Sequence, residues 1–348
     1  MRRLRFVLLA WLIAACGSGQ VASPTAVSSP LVAVPTASGG SAVSPIVNPV
    51  ATPLVGPGEP WLAIQRVTGA GGGIFLMRPD GSGLHQLAGS VPGVHKHPDW
   101  SPDGNQLAFV VEDDIWTVGA DGSNATKLVT CAGGCDNPAW SPDGARLAYA
   151  EYESKPGVVG PAASAIRILD LAAGTTTTAI RAERPTLVDA PRWSPDGKRL
   201  AVGVDQMDTN AYETGAAVAI GDIAKSSMKI ISPFSSFLYA TDWSPMGDRI
   251  VASVEVIANK QTAGPSDGTW NLYLISPTRT QVTRLTDVPA GTRLWNPTWT
   301  PDGSRILAGD MGSFTGVTVD PNNGTVEPLA LTSPVPFQFA HPRLRPNA

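Results

Sequence analysis

The chain has 348 residues, 16% of them charged, and a formal net charge of −4. Its Lys and Arg are scattered rather than gathered into a stripe, which excludes nucleic acid as a partner. Only four histidines and three cysteines are present, and no cofactor or metal ion is expected.

Residues 1–15 read as an address rather than as structure. Arg2, Arg3 and Arg5 form a basic start, and Phe6 to Ile13 form an apolar stretch too short to cross a bilayer. Without those arginines the formal charge is −7. The following Ile13-Ala14-Ala15-Cys16 resembles the lipobox of bacterial lipoproteins. That resemblance implies a signal peptide, lipidation of Cys16, and a membrane anchor on the extracytoplasmic side of the cell envelope. An ordinary secretory leader is the alternative. Residues 16–58 are mostly Ser, Pro, Val, Ala, Thr and Gly with no charge, a composition that cannot bury a core and reads as a disordered tether.

Residues 59–348 carry the fold. Three short apolar runs come first: Trp61-Leu62-Ala63-Ile64-Gln65, Ile74-Phe75-Leu76-Met77 and Leu84-His85-Gln86-Leu87. Then one string recurs, as Trp100-Ser101-Pro102-Asp103-Gly104, Trp140-Ser141-Pro142-Asp143-Gly144, Trp193-Ser194-Pro195-Asp196-Gly197, Trp243-Ser244-Pro245-Met246-Gly247 and Trp299-Thr300-Pro301-Asp302-Gly303. The tryptophans are 40, 53, 50 and 56 residues apart, a period suited to a unit that must stack on copies of itself. Pro, Asp and Gly suit a tight hairpin turn, and an apolar strand follows each copy, such as Arg146-Leu147-Ala148-Tyr149. Further strands of rising polarity complete a four-stranded blade.

Five copies give five blades, and the chain ends supply a sixth. His341-Pro342-Arg343-Leu344-Arg345-Pro346 aligns with Asn296-Pro297-Thr298-Trp299-Thr300-Pro301, with Leu344 in place of Trp. The C-terminus is therefore expected to donate the inner strand of the blade that Trp61–Gln65 begins. The predicted fold is an all-β, six-bladed propeller closed by pairing of its N- and C-terminal strands, which removes an open sheet edge.

Cys131-Ala132-Gly133-Gly134-Cys135 leaves an even pair once Cys16 is set aside, and the glycines allow the return of a short disulfide loop. Free thiols are the alternative, and a metal site would need further ligands.

Two features bear on function. Three consecutive blades have enlarged connections between their second and third strands, at Tyr152–Ser164, Asp205–Ala216 and Val256–Thr269. Long loops on a rigid scaffold are where binding resides, and these offer Tyr152, Met207, Tyr212, Asn259 and Gln261. Antiparallel topology puts them on the face that carries the residue just before each inner strand: His97, Asn137, Ala190, Ala240, Asn296 and His341. The His and Asn members form an arc at the pore mouth, either satisfying backbone groups or receiving a ligand.

The Trp-Ser-Pro-Asp-Gly repeat with its Arg-Leu-Ala strand, together with Asp80-Gly81-Ser82 and Asp121-Gly122-Ser123, resembles the propeller repeat of the TolB family. The resemblance covers about residues 60–348 and implies an exported protein that binds partners. The sequence contains no Gly-x-Ser-x-Gly elbow, phosphate loop, His-Glu-x-x-His or calcium-loop string. The reading is a monomeric, non-enzymatic scaffold for another envelope protein or a glycan. An enzyme, a lyase or hydrolase with an acid–base pair at the pore mouth, is the alternative.

Overall fold

The computed structural model describes residues 58–68, 71–211, 213–234, 238–255, 268–279, 281–313, 315–329, 331 and 338–346. The leader, Cys16 and the tether to residue 57 lie outside the described residues, as do Tyr212, Asn259 and Gln261.

The described strands form six four-stranded antiparallel sheets. Blade one comprises His95–Trp100, Gln106–Val111, Asp114–Gly119 and Thr126–Val129. Blade two runs through Cys135–Trp140, Arg146–Glu153, Ala163–Asp170 and Thr175–Glu183. Blade three uses Thr186–Trp193, Arg199–Met207, Glu213–Asp222 and Ser227–Ile230. Blade four uses Leu238–Trp243, Ile250–Glu255, Trp270–Ile275 and Val282–Arg284. Blade five uses Leu294–Trp299, Ile306–Asp310, Thr315–Val319 and Val326–Pro328. Blade six joins the C-terminal Gln338–Leu344 to Leu62–Thr68, Gly71–Met77 and His85–Leu87, with Leu344 opposite Leu62. First strands of neighbouring blades touch one another around the axis, and the fourth strands are largely exposed. The protein is a six-bladed β-propeller closed by its two chain ends.

Each repeat turn is held by its own side chains. Ser101 Oγ donates to Asp103 Oδ1 at 2.6 Å and accepts the Gln106 N–H at 3.1 Å, while Gly104 takes φ 66°. The fourth copy has Met246 where the others have Asp, and Asp248 takes over by accepting from Ser244 Oγ at 2.7 Å. The motif aspartates are turn caps.

The five motif tryptophans are 5–7% exposed and pack between blades. Trp100, Trp193 and Trp243 donate their indole N–H to Arg343 O, Ala139 O and Arg192 O of the preceding blade, at 2.9, 3.0 and 3.1 Å. Trp140 and Trp299 differ, because their indole nitrogens have no partner. In both cases the preceding blade carries an aspartate, Asp99 or Asp242, whose carboxylate instead accepts the tryptophan's backbone N–H at 2.8 Å. In blades two and three the arginine that opens the second strand lies over the next blade's tryptophan, Arg146 over Trp193 at 4.5 Å and Arg199 over Trp243 at 5.1 Å. Such stacked cations add to an apolar blade interface.

Candidate functional site: the upper mouth

The end of the propeller that carries the inter-blade links is called upper here. Tyr152 N–H donates to Gly134 O at 2.9 Å, and Met207 N–H donates to Pro185 O at 2.7 Å. The second-to-third-strand hairpins of blades two and three therefore lie at the same end as the links that lead into those blades. Arg184 ties the two hairpins together, donating from Nε to Pro161 O at 2.8 Å and from Nη1 to Asp208 O at 3.1 Å. Cys131 and Cys135 are disulfide-bonded in the link between blades one and two, with Cα atoms 5.6 Å apart. A Cβ at Gly133 would stand 1.8 Å from Tyr152 O, so only glycine permits this close approach.

The arc residues lie within the inner strands, not just before them as the sequence suggested. Each sits where the inner strand holds one residue too many, at register shifts such as Lys96/Asp99, Asp136/Ala139 and Trp295/Thr298. His97, Asn137, Ala190, Asn296 and His341 all adopt left-handed backbone, with φ between 46° and 53°. Each precedes a proline, which cannot donate to the ladder and is at home in a bulge. The bulge turns these side chains along the rim toward the neighbouring blade.

A simple rule governs what they meet there: the partner is the residue preceding the arc residue of the next blade. Nδ1–H of His97 is hydrogen-bonded to the Asp136 carboxylate. Asn137 Nδ2 donates to Asp189 Oδ1 at 3.1 Å. The corresponding neighbour of Asn296 is Ala340, and Asn296 Nδ2 has no partner although the residue is only 6% exposed. For His341 the neighbour is Lys96, which offers no acceptor, and its ring instead meets that of His97 edge-on, with centroids 4.2 Å apart. Trp295 lies beyond it, 6.4 Å from His341.

Charge follows the same division. Burial raises the Asp136 carboxyl, but His97 and Lys96 outweigh it and bring it down to about 2. Burial and the adjacent His97 hold His341 well below the usual imidazole range, so its ring is neutral. Asp189 accepts the Tyr152 hydroxyl and the Ala190 N–H, yet burial and the charge of Asp136 push it up. Asp205 is pushed well up by burial and by Glu213 and Asp189, and burial alone lifts Glu213 to about 7.

Beneath the mouth a second layer fills the axis. It comprises the residue before each motif tryptophan: Asp99, Ala139, Arg192, Asp242 and Thr298, with Arg343 from blade six. Arg343 bridges Asp99 at 3.4 Å and Asp242 at 3.3 Å, and Thr298 Oγ1 donates to Asp242 at 2.8 Å. Arg192 donates to Pro138 O and Pro191 O, and burial lowers it to about 10. These linked side chains floor the mouth.

Of the loop residues named from sequence, Tyr152 and Met207 lie in strands, because the second strands run on to Glu153 and Met207. Met207 is 8% exposed and has little area to offer a partner. Tyr152 is half-buried and turned to Asp189. The structure brings His97, Asn137, Asn296 and His341 together around one mouth. Sequence reasoning missed Asp136, Asp189 and Asp205. The signal for the first two was their position one residue before the arc. Among the described residues no three His, Cys, Asp or Glu side chains are placed to share a metal ion.

No family model and no curated protein matches the sequence. Solved structures do match. A protein assigned as a TolB of Agrobacterium tumefaciens is 20% identical, with TM-score 0.55, covering 79% of this chain and 89% of its own. A chain of a nidogen/laminin complex reaches TM-score 0.59 at 7% identity, covering 82% of this chain and 98% of its own. An oligogalacturonate lyase in complex with manganese reaches 0.48 at 15%, covering 78% and 74%. At these identities the likeness lies in the fold, and the chain is a six-bladed propeller of the architecture seen in the first of these structures.

Proposed function

We propose that this protein is a binding scaffold of the bacterial envelope. Residues 1–15 act as its signal peptide, Cys16 as its lipid anchor and residues 16–58 as its tether. The upper mouth holds another envelope component. One observation supports this most: the linked charges around Arg343 close the axis beneath the mouth, which makes the upper end a cup with a floor rather than a passage. The hairpins of blades two and three, clamped by Arg184, rise beside that cup. The TolB-like repeat, characteristic of exported partner-binding propellers, agrees with the reading. The test is capture of envelope components by the full chain. Replacing residues 154–162 and 208–212 by short Asn-Gly turns should abolish capture while leaving melting nearly unchanged. Unaltered capture would move the site to the Ser-Pro-Asp-Gly end.

One observation favours an enzyme as the second reading. His97 is oriented by Asp136 beside a neutral His341, an arrangement that can accept and return a proton. Envelope polysaccharide incubated with the protein would then yield new products by mass spectrometry, and His97→Ala would stop their formation.

A further inference from the structure

A strand edge sets blade two apart from the other five. The outermost strand of each blade has a strand beside it on one side only, so alternate backbone N–H and C=O groups face outward. Such an edge invites a further strand, and proteins blunt it by keeping it short or by placing charge or proline on it. The other five blades follow that rule. Their outer strands hold three or four residues, and four of the five carry Lys127, Lys229, Arg284 or Pro328. In blade two the outer strand runs nine residues, Thr175–Glu183, and Thr175 to Ile180 include neither a charge nor a proline.

The strand is firmly seated and its edge is open. Ala179 and Ile180 are buried in a cluster shared with blade three, while Thr175, Thr177 and Thr178 are exposed. Among the described residues no strand lies along its outer side. Four consecutive threonines are β-branched and suit an extended backbone. A bulge at Ala179 bends the edge, since Ile166 pairs with Ile180 and Arg167 with Thr178. A flexible segment can follow that bend along the whole edge, whereas the rigid edge of a second propeller would match the threonines alone. The chain's own residues 16–58 contain seven prolines, which cannot donate to a ladder.

Charge at the upper end adds a preference. Arg181 is shared by two carboxylates, Glu153 at 2.8 Å and Glu183 at 2.5 Å, and the Glu183 side chain is 68% exposed. Arg167 is taken by Glu151 at 3.1 Å, and Arg184 is turned to the carbonyls of Pro161 and Asp208. A basic group on a partner would therefore meet Glu183 with little competition.

We infer that the Thr175–Glu183 edge binds an extended, β-branched peptide segment of a partner protein, added antiparallel as a fifth strand with a basic residue beside Glu183. This surface is separate from the upper mouth, and its test does not depend on what the mouth holds.

The probe is the peptide acetyl-Lys-Thr-Val-Thr-Val-Thr-Val-amide, labelled at its C-terminal end and titrated with the full-length chain in detergent micelles. Saturable binding is expected, with amides of Thr175–Glu183 gaining protection in hydrogen exchange. N-methylation of alternate peptide residues separates backbone pairing from side-chain stickiness. One phase of methylation should abolish binding and the other should leave it nearly intact. Thr177→Lys copies the guard of the other blades and should weaken binding about tenfold with melting unchanged, and Glu183→Gln about threefold. Absence of binding, equal loss in both N-methyl phases, or undiminished binding by Thr177→Lys overturns the inference. Protection at another strand overturns it as well. Concentration-dependent sedimentation of the chain alone, with Thr175–Glu183 protected, would assign the edge to a second copy and overturn the peptide.

Discussion

Two rings of side chains share the propeller axis, two residues apart in each repeat, and they differ in how far they close on themselves. In the lower ring Arg343 joins Asp99 to Asp242 by ion pairs, and Thr298 donates a hydrogen bond to Asp242 as well, so blades six, one, four and five are linked through buried polar contacts. In the upper ring, among the described residues, only the steps from His97 to Asp136 and from Asn137 to Asp189 are made. Both rings are polar and enclosed. What distinguishes a floor from a mouth is whether the polar atoms find partners within the protein, because an orphaned buried donor is tolerated chiefly where something else can meet it.

The largest effect should come from opening the lower ring. Arg343→Met removes the cation between two buried carboxylates and is expected to destabilise by about 3–5 kcal/mol in urea unfolding, because Asp99 and Asp242 are left uncompensated. Burial already pushes Asp99 up, and loss of Arg343 should raise it further. A cost below about 1 kcal/mol would mean that water reaches the floor and that the two rings are not different in kind. Trp193→Ala should fall in a similar range, about 3–5 kcal/mol, and exceed Trp140→Ala. Trp193 has both the Arg146 cation and the Ala139 carbonyl, whereas the indole nitrogen of Trp140 is unpartnered.

The fold was legible because its determinants are local. Ser, Pro, Asp and Gly fix a turn within five residues, and the match of His341–Pro346 to Asn296–Pro301 revealed the closure without any long-range information. The arc was legible by register, although its residues proved to lie inside the strands at bulges. The acids were not legible, because His97 meets Asp136 only through the approach of neighbouring blades 39 residues apart. Met207 was read as loop for a related reason. Asp205-Gln206-Met207 is polar in sequence, but Glu213–Ala216 pairs with it and extends the strand.

A moderate effect is expected from pH on the blade-three side of the mouth. Glu213 is raised from 4.5 to about 7 by burial, so the folded protein holds a proton there that the unfolded chain has released. Its favourable contribution is complete below about pH 4.5 and is lost as pH rises through about 7, and Asp205 acts in the same direction. Stability should therefore decline by about 1–3 kcal/mol between pH 5 and pH 8, and Glu213→Gln should flatten that decline. Asp136 has the opposite sign: its contribution is present above about pH 4 and fades as pH falls toward 2. Thermal melting across pH 3 to 8, compared for Glu213→Gln and Asp136→Asn, checks both. A Glu213→Gln profile identical to that of the parent would show that the carboxylate is solvated in the mouth.

The smallest effect on stability, and the sharpest test of the rim rule, comes from Ala340→Asp. Residue 340 stands one before His341, as Asp136 and Asp189 stand one before Asn137 and Ala190. If the acid at this step is what closes the rim, an aspartate at 340 supplies the acceptor that Asn296 lacks. The new hydrogen bond, about 1 kcal/mol net, would offset most of the cost of burying the carboxylate beside the neutral His341. Melting should shift by only a few degrees in either direction, while an Asn296 amide proton becomes protected in NMR. The open half of the mouth would then resemble the closed half. A loss of several kcal/mol with no protected amide would show that the rim is set by backbone bulges alone. Asp136 and Asp189 would then be consequences of the upper ring's geometry, not its cause.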